Sequence, residues 1–88
     1  MGVKVKLDFI LQEFAGDKDK VEVNGTTVMQ CVEDLIKRFP RMRKRLFDKD
    51  GTIIPMVLIN DKVLTLGELN RSVTENDELW LFNILEGG

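Results

Sequence analysis

Alternating apolar and polar residues at the start of the chain predict a β-strand. Residues 3–9 read Val-Lys-Val-Lys-Leu-Asp-Phe, so every second side chain is apolar and points to one face. We expect this half-buried strand to extend to Leu11. Residues 15–18 have the composition of a turn, and residues 21–23 read as a returning strand. The first two strands are therefore predicted to form a hairpin.

An amphipathic helix follows. Thr27 and Gln30 have the spacing of a capping box, which predicts that the helix begins just after Thr27. Pro40 ends the helix near Phe39, because the residue before a proline avoids helical backbone angles. Apolar residues recur at helical spacing, namely Val28, Cys31, Val32, Leu35 and Phe39. Cys31 lies on this stripe and is interpreted as a small buried hydrophobe rather than a reactive thiol.

The second half of the chain is strand-rich. Residues 53–59 form an apolar run, residues 60–61 a tight turn, and residues 62–64 a short return strand. Thr65 and Glu68 suggest a capped turn of helix, and a polar stretch then leads into a final strand over residues 78–82 or a little beyond. The predicted class is α+β: a mixed sheet of four to five strands packed on one main helix, with the first and last strands as its central pair.

One helix leaves the other face of the sheet uncovered. Alternation directs Val57, Ile59, Leu79 and Leu81 toward the helix. Their neighbours then face away, namely Met56, Leu58, Trp80 and Phe82. We predict that these four side chains form an exposed apolar docking surface, in which Trp is a favoured interface anchor. In the alternative, Trp80 and Phe82 tuck under residues 41–47.

The chain ends on Gly87 and Gly88, a few residues after a strongly apolar strand. Glycine lets a terminal carboxylate enter a narrow active site on another protein, because no side chain stands beside it. We therefore predict a globular domain over residues 1–84 and a flexible diglycine tail over residues 85–88. A frayed end without function is the alternative.

Composition restricts the chemistry. The 88 residues are enough for one domain, and they include one Cys and no His, so a zinc site or a Cys–His nucleophile is not expected. No metal site is predicted. The chain has no apolar run of the length that a membrane helix needs, so no membrane partner is expected. The single Cys favours a reducing compartment, and we expect a cytoplasmic protein.

Six cations stand within residues 37–45, and we call them the basic cluster: Lys37, Arg38, Arg41, Arg43, Lys44 and Arg45. A solvated helix end is one interpretation, and a surface for nucleic acid or an acidic partner is another. The net charge of −2 gives no general attraction to nucleic acid, so a nucleic-acid partner is not expected.

The element order, the acidic turn Asn76-Asp77 and the terminal Gly87-Gly88 resemble the ubiquitin-like β-grasp sulfur carriers. That family includes the small subunit of molybdopterin synthase, the thiamine-pathway sulfur carrier and the ubiquitin-related modifier of tRNA thiolation. The resemblance covers essentially the whole chain and implies the β-grasp fold.

The resemblance also implies a mechanism. Gly88 matches the residue that is adenylated and converted to a thiocarboxylate, Gly87 its slender neighbour, and Trp80 and Phe82 the docking face. The protein would then be a co-substrate, or the small subunit of a synthase, rather than an enzyme. It would bind no cofactor itself, because the partner uses the ATP. The implied partners are a ubiquitin-activating-type adenylyltransferase and a sulfur-accepting synthase or thiolase.

The pathway stays open at this point. Small subunits of molybdopterin synthase usually carry a Pro-Pro pair before the glycines, whereas residues 83–86 here read Asn-Ile-Leu-Glu, closer to the ubiquitin-related modifier type. The alternatives to a sulfur carrier are a modifier joined to lysines of other proteins and a β-grasp RNA-interaction module that uses residues 38–45.

Overall fold

A computed structural model describes residues 2–82 of the chain. The predicted tail, including Gly87 and Gly88, and the predicted domain boundary lie outside the described residues. Five strands and three α-helices are formed in the order β1 (Val3–Leu7), α1 (Phe9–Gln12), β2 (Lys20–Val23), α2 (Val28–Arg38), α3 (Arg43–Leu46), β3 (Met56–Ile59), β4 (Lys62–Val63) and β5 (Glu78–Phe82). Single 3-10 turns cover Glu13–Ala15, Pro40–Met42 and Leu66–Glu68.

The strands form one mixed sheet in the order β2-β1-β5-β3-β4. β1 and β5 pair in parallel at the centre, and the remaining neighbours pair antiparallel. The predicted hairpin of β1 and β2 and the central position of the first and last strands are confirmed. The β3–β4 hairpin turns through Asn60 and Asp61, whose φ values of 48° and 72° are those of the tight turns that match strand twist.

Helix α2 begins and ends where its sequence signals lie. The Thr27 hydroxyl accepts a hydrogen bond from the Gln30 amide at 3.1 Å, and Phe39 is the C-cap residue before Pro40. The second half of the predicted capping box differs, because the Gln30 side chain accepts from the Thr26 amide at 2.8 Å. The helix buries Val28, Cys31, Val32, Leu35 and Ile36. These side chains fill the core between α2 and the sheet.

The predicted extension of the first strand to Leu11 is wrong. β1 ends at Leu7, because the Asp8 carboxylate accepts a hydrogen bond from the Leu11 amide at 2.9 Å and caps the short helix α1. Leu11 reaches the core from that helix, whereas Phe9, which alternation had placed on the buried face, is 83% exposed. A local side-chain cap thus overrides an alternating pattern.

The apolar run of residues 53–59 also forms a shorter strand than its pattern indicates. β3 begins at Met56, directly after Pro55, which has no N–H to donate to a ladder. Ile53 forms only an isolated bridge with Phe47. This bridge joins the residue after α3 to the segment that precedes β3. Met42 and Leu46 are fully buried in the core. The segment that contains the basic cluster therefore lies on the helix side of the sheet.

Candidate functional site

Strand β5 presents two chemically different faces. Leu79 and Leu81 are 0% exposed and lie in the core, whereas Trp80 is half-buried and Phe82 is 40% exposed on the opposite face. This alternation follows from the pleat, which directs successive side chains to opposite sides of a sheet. The predicted assignment of Trp80 and Phe82 to the face that α2 does not cover is the one that the structure shows.

Cross-strand pairing brings further apolar side chains to this face. Trp80 lies opposite Leu58, and Phe82 lies opposite Met56. On the outer side of β3, Leu58 pairs with Val63 of β4, which is 57% exposed. We call these five residues the apolar sheet face. It is continuous across β5, β3 and β4, because each pair joins neighbouring strands in register.

The two aromatic rings form the centre of the apolar sheet face, and a lysine borders them. The Trp80 and Phe82 ring centroids are 5.5 Å apart at an interplanar angle of 63°, which is an edge-to-face arrangement. Lys6, the residue paired with Trp80 on β1, places its Nζ 4.7 Å from the Trp80 ring centroid. The indole is therefore oriented by contacts on both sides before any partner binds.

A charged rim borders the apolar sheet face on the β1–β2 side. Lys20 of β2 and Glu78 of β5 form an ion pair across β1, with Nζ and Oε2 3.4 Å apart. Both side chains are close to half exposed, so the pair contributes little to stability. Together with Lys6, it gives the face an apolar centre and a polar border, the arrangement typical of protein interfaces.

A hydrogen-bond network fixes the start of β5. The Asn60 side chain donates to the Asp77 carboxylate at 2.8 Å and accepts from the Glu78 amide at 3.0 Å, and the Thr74 amide donates to the other Asp77 oxygen at 2.8 Å. These donors, Asn60 first and then Thr74, lower the pKa of Asp77 below its usual value. The acidic turn thus sets the register that places Trp80 beside Leu58.

All four residues that the sequence predicts for docking come together, namely Trp80, Phe82, Leu58 and Met56. The alternative, in which the aromatic rings lie under residues 41–47, is wrong, because that segment packs on the other side of the sheet. Val63 and Lys6 were missed as members of the site. Their signal is the pairing register, which alternation within a single strand does not reveal.

Cys31 has the surroundings of a structural thiol. It is 0% exposed, and burial, together with the negative charge of Asp34, raises the pKa of its thiol to about 11. The thiol therefore stays protonated at neutral pH, and a protonated thiol is a poor nucleophile. Among residues 2–82, no group of three or more potential ligands is placed to hold a metal ion. None of the helices in the described part of the chain has the length and apolarity needed to cross a membrane.

The fold and the site define a class: a small α+β protein with a mixed five-stranded sheet, one main helix and a partly exposed apolar face on the side of the sheet that the helix does not cover. Solved structures share this fold. No protein-family model matches the sequence, and a search of curated proteins finds no significant match.

Two crystal structures of the small archaeal modifier protein 1 (SAMP1) of Haloferax volcanii are 30% and 32% identical to this chain, with TM-scores of 0.79 and 0.75. The match to the first structure covers 100% of both chains, and the match to the second covers 94% of this chain and 97% of the SAMP1 chain. CysO in the Amycolatopsis orientalis BexX/CysO complex is 27% identical, with a TM-score of 0.83 and coverage of 98% of this chain and 99% of its own.

A Pyrococcus furiosus protein provisionally assigned as molybdopterin converting factor subunit 1 is 21% identical, with a TM-score of 0.72. The match covers 97% of this chain and 99% of the Pyrococcus chain, and at this identity it supports the fold alone. The chain therefore belongs to the family of ubiquitin-like β-grasp sulfur carriers, and the resemblance inferred from the sequence is confirmed.

Proposed function

We propose that this protein is a cytoplasmic sulfur carrier whose reactive group is the carboxylate of Gly88. A partner adenylyltransferase activates that carboxylate with ATP, and the activated chain end is converted to a thiocarboxylate. The thiocarboxylate then donates its sulfur in the synthesis of a molybdopterin-like cofactor or in tRNA thiolation. In this proposal the protein is a co-substrate, and its partners catalyse every covalent step.

The chemistry needs activation because a carboxylate is a poor electrophile. Attack of the Gly88 carboxylate on the α-phosphorus of ATP releases pyrophosphate and forms an acyl-adenylate. A sulfide equivalent from the partner then displaces AMP and leaves the thiocarboxylate. The thiocarboxylate sulfur then attacks an activated carbon of the acceptor and displaces its leaving group, which forms a thioester. Water cleaves the carbonyl–sulfur bond of this thioester, so that the sulfur stays on the acceptor and the Gly88 carboxylate is regenerated for another cycle. Glycine at positions 87 and 88 leaves the carbonyl accessible to both partners.

The observation that carries the proposal is the position of the apolar sheet face on β5. This strand ends at Phe82, and six residues follow it. An extended chain of that length spans at most about 20 Å. A partner that covers Trp80 and Phe82 therefore lies within reach of the Gly88 carboxylate, so one interface docks the domain and delivers its chain end. The BexX/CysO complex shows that a similar chain binds another protein, which supports a protein partner here as well.

A pyrophosphate-exchange assay tests the activation step. The full chain, incubated with ATP, labelled pyrophosphate and the matching activating enzyme, should support exchange. A variant that lacks Gly88 and a variant with one alanine added after Gly88 keep residues 1–87 and should support none. Exchange that is equal in all three proteins would show that the terminal glycine is not the group that is activated.

A protein modifier is the second candidate, favoured by the 32% identity to small archaeal modifier protein 1. It shares the activation step but forms an isopeptide bond with a lysine instead of a thiocarboxylate. Lysine adducts in cells that disappear when Gly87 and Gly88 are deleted would support this candidate. A thiocarboxylate in the absence of such adducts would support the carrier alone.

A further inference from the structure

The basic cluster lies on the side of the molecule opposite to the apolar sheet face, and the proposed function does not use it. Residues 37–45 contain six of the thirteen Lys and Arg residues and none of the fifteen Asp and Glu residues. The rest of the chain is correspondingly acidic. A molecule with a net charge of only −2 is thus strongly bipolar.

Some of these cations have structural explanations. Arg38 forms an ion pair with Asp34 at 3.1 Å, and Lys37 and Arg38 occupy the last turn of α2, where cations interact favourably with the helix dipole. Arg43 and Lys44 border a surface depression that also contains acidic groups, namely Glu33 and Asp48. Arg41 and Arg45 are the members of the cluster that these contacts leave unexplained.

Arg41 and Arg45 converge on one aromatic ring. Each places its guanidinium carbon 5.7 Å from the Phe14 ring centroid, within the range of a cation–π contact. Phe14 itself packs against the core. Like charges that are close on a helical surface repel each other. The contact with the ring orients both exposed guanidinium groups despite that repulsion.

The cleft around this ring is lined by residues that are basic or apolar, namely Phe14, Pro40, Arg41, Arg43, Lys44 and Arg45. The ion pairs among residues 2–82 are Lys20–Glu78 and Asp34–Arg38, so neither neutralises Arg41 or Arg45. An arrangement that keeps like charges together without an internal counter-charge departs from what stability favours, and such departures concentrate at functional sites.

We propose that Arg41, Arg45 and Phe14 form a second docking surface, which binds a carboxylate-rich segment of a partner protein. Guanidinium groups bind carboxylates through two parallel hydrogen bonds, and prior orientation by the ring lowers the entropy cost of binding. A nucleic acid offers phosphates of similar geometry. It would, however, extend from this small cluster across a molecule of 35 × 29 × 22 Å whose remaining surface is acidic. A short acidic segment matches the cluster without that repulsion.

The location makes the surface independent of the apolar sheet face. Met42 and Leu46 anchor the basic segment in the core from the helix side, whereas Trp80 lies on the outer side of the sheet. A protein held through Arg41 and Arg45 therefore leaves Trp80 accessible to a second partner. The surface would keep the carrier attached to one protein while its chain end visits another.

Fluorescence anisotropy of the full chain tests this inference with two labelled probes: a short polyglutamate peptide and an oligouridylate of the same formal charge. At physiological ionic strength, we expect the peptide to bind more tightly than the oligouridylate. Arg41→Ser combined with Arg45→Ser should weaken peptide binding at least about tenfold. The matched control, Lys4→Ser with Lys62→Ser, removes the same charge elsewhere and should change it less than about twofold.

A third variant pair separates charge from geometry. Arg41→Lys with Arg45→Lys keeps both charges but loses the planar forks, and we expect an intermediate loss. Urea unfolding of every variant checks the fold, and the single substitutions replace the double variant if it does not fold. Equal losses of peptide affinity in the serine variant and its control would show that net charge alone explains the binding, and would contradict the proposal. Tighter binding of the oligouridylate, or salt-sensitive self-association in sedimentation, would also overturn the proposal.

Discussion

Replacing Trp80 by alanine separates docking from folding. In the free protein, the centroid of the Trp80 ring lies 4.7 Å from the Lys6 Nζ and 5.5 Å from the centroid of the Phe82 ring. Trp80 also pairs with its cross-strand neighbour Leu58. An exposed cation–π contact, an aromatic pair and a cross-strand pair contribute about 0.5–1 kcal/mol each. Allowing for overlap between them, the substitution should lower the free energy of unfolding by about 1–3 kcal/mol. A domain of ordinary stability, about 5–15 kcal/mol, stays folded after such a loss.

The effect on docking should be larger than the effect on folding. A tryptophan at the centre of an interface typically contributes about 2 kcal/mol or more to binding. For this chain with the proposed activating enzyme, such a loss corresponds to a roughly 30-fold rise in KM. The maximal rate should be unchanged, because the Gly88 carboxylate is intact. Trp80→Phe keeps an aromatic ring and should recover most of the loss.

Leu79→Ala is the matched control, because Leu79 is the neighbour of Trp80 on the buried face and is 0% exposed. It should lower the free energy of unfolding by about 2–5 kcal/mol and leave the KM of the folded fraction unchanged. Urea unfolding and steady-state kinetics on the same preparations give both quantities. The assignment of the apolar sheet face as a docking surface would be refuted if Trp80→Ala abolished folding, or if it left KM unaltered in a folded protein.

Three further predictions concern stability and reactivity. Hydrogen bonds from Asn60 and Thr74 lower the pKa of Asp77, so its carboxylate stabilises the fold above about pH 4 and loses this effect as the pH falls through its folded pKa. Asp77→Asn should therefore be less stable than the native chain at about pH 7, and the difference should shrink as the pH is lowered below about 4. Cys31, with its raised pKa, should react with a thiol reagent at pH 8 only when urea unfolds the protein. Gly25→Ala should destabilise by about 1–3 kcal/mol, because the new Cβ would lie 2.8 Å from the Cys31 backbone nitrogen.

Each of these outcomes can fail. A stability difference between Asp77→Asn and the native chain that does not shrink as the pH is lowered below about 4 would show that the carboxylate charge is not what the turn requires. Rapid modification of native Cys31 would contradict its burial. Unchanged unfolding of Gly25→Ala would show that the approach of residue 25 to α2 relaxes easily. Gly67→Ala is the matched control, because no atom of the described residues lies within 4 Å of the position that its Cβ would take.

Local sequence patterns correctly predicted the elements in which all the signals of one segment indicate the same structure. The last strand runs over residues 78–82 as expected, because its apolar alternation is bounded by a polar turn. α2 follows its cap and its proline in the same way. The first strand was predicted too long, because Asp8 fits an alternating pattern and also caps a helix, and only the fold decides between the two roles.

The site was predicted as far as it depends on one strand at a time. Trp80 and Phe82 follow from alternation alone. Val63 belongs to the same face through the register of the β3–β4 hairpin, and Lys6 through the register of the parallel pair β1 and β5. Both registers relate two strands to each other and cannot be read from either strand alone. The convergence of Arg41 and Arg45 on Phe14 joins segments more than twenty residues apart, so the sequence showed the cluster but not its geometry.

The intact mass of the protein after reaction with ATP, its activating enzyme and a sulfur donor tests the central claim most directly. The account predicts a mass gain equal to the replacement of one oxygen by sulfur, located at Gly88 by fragmentation and absent when Gly88 is deleted. An unchanged mass under conditions in which the enzyme is demonstrably active, or the same gain in the Gly88 deletion, would contradict it.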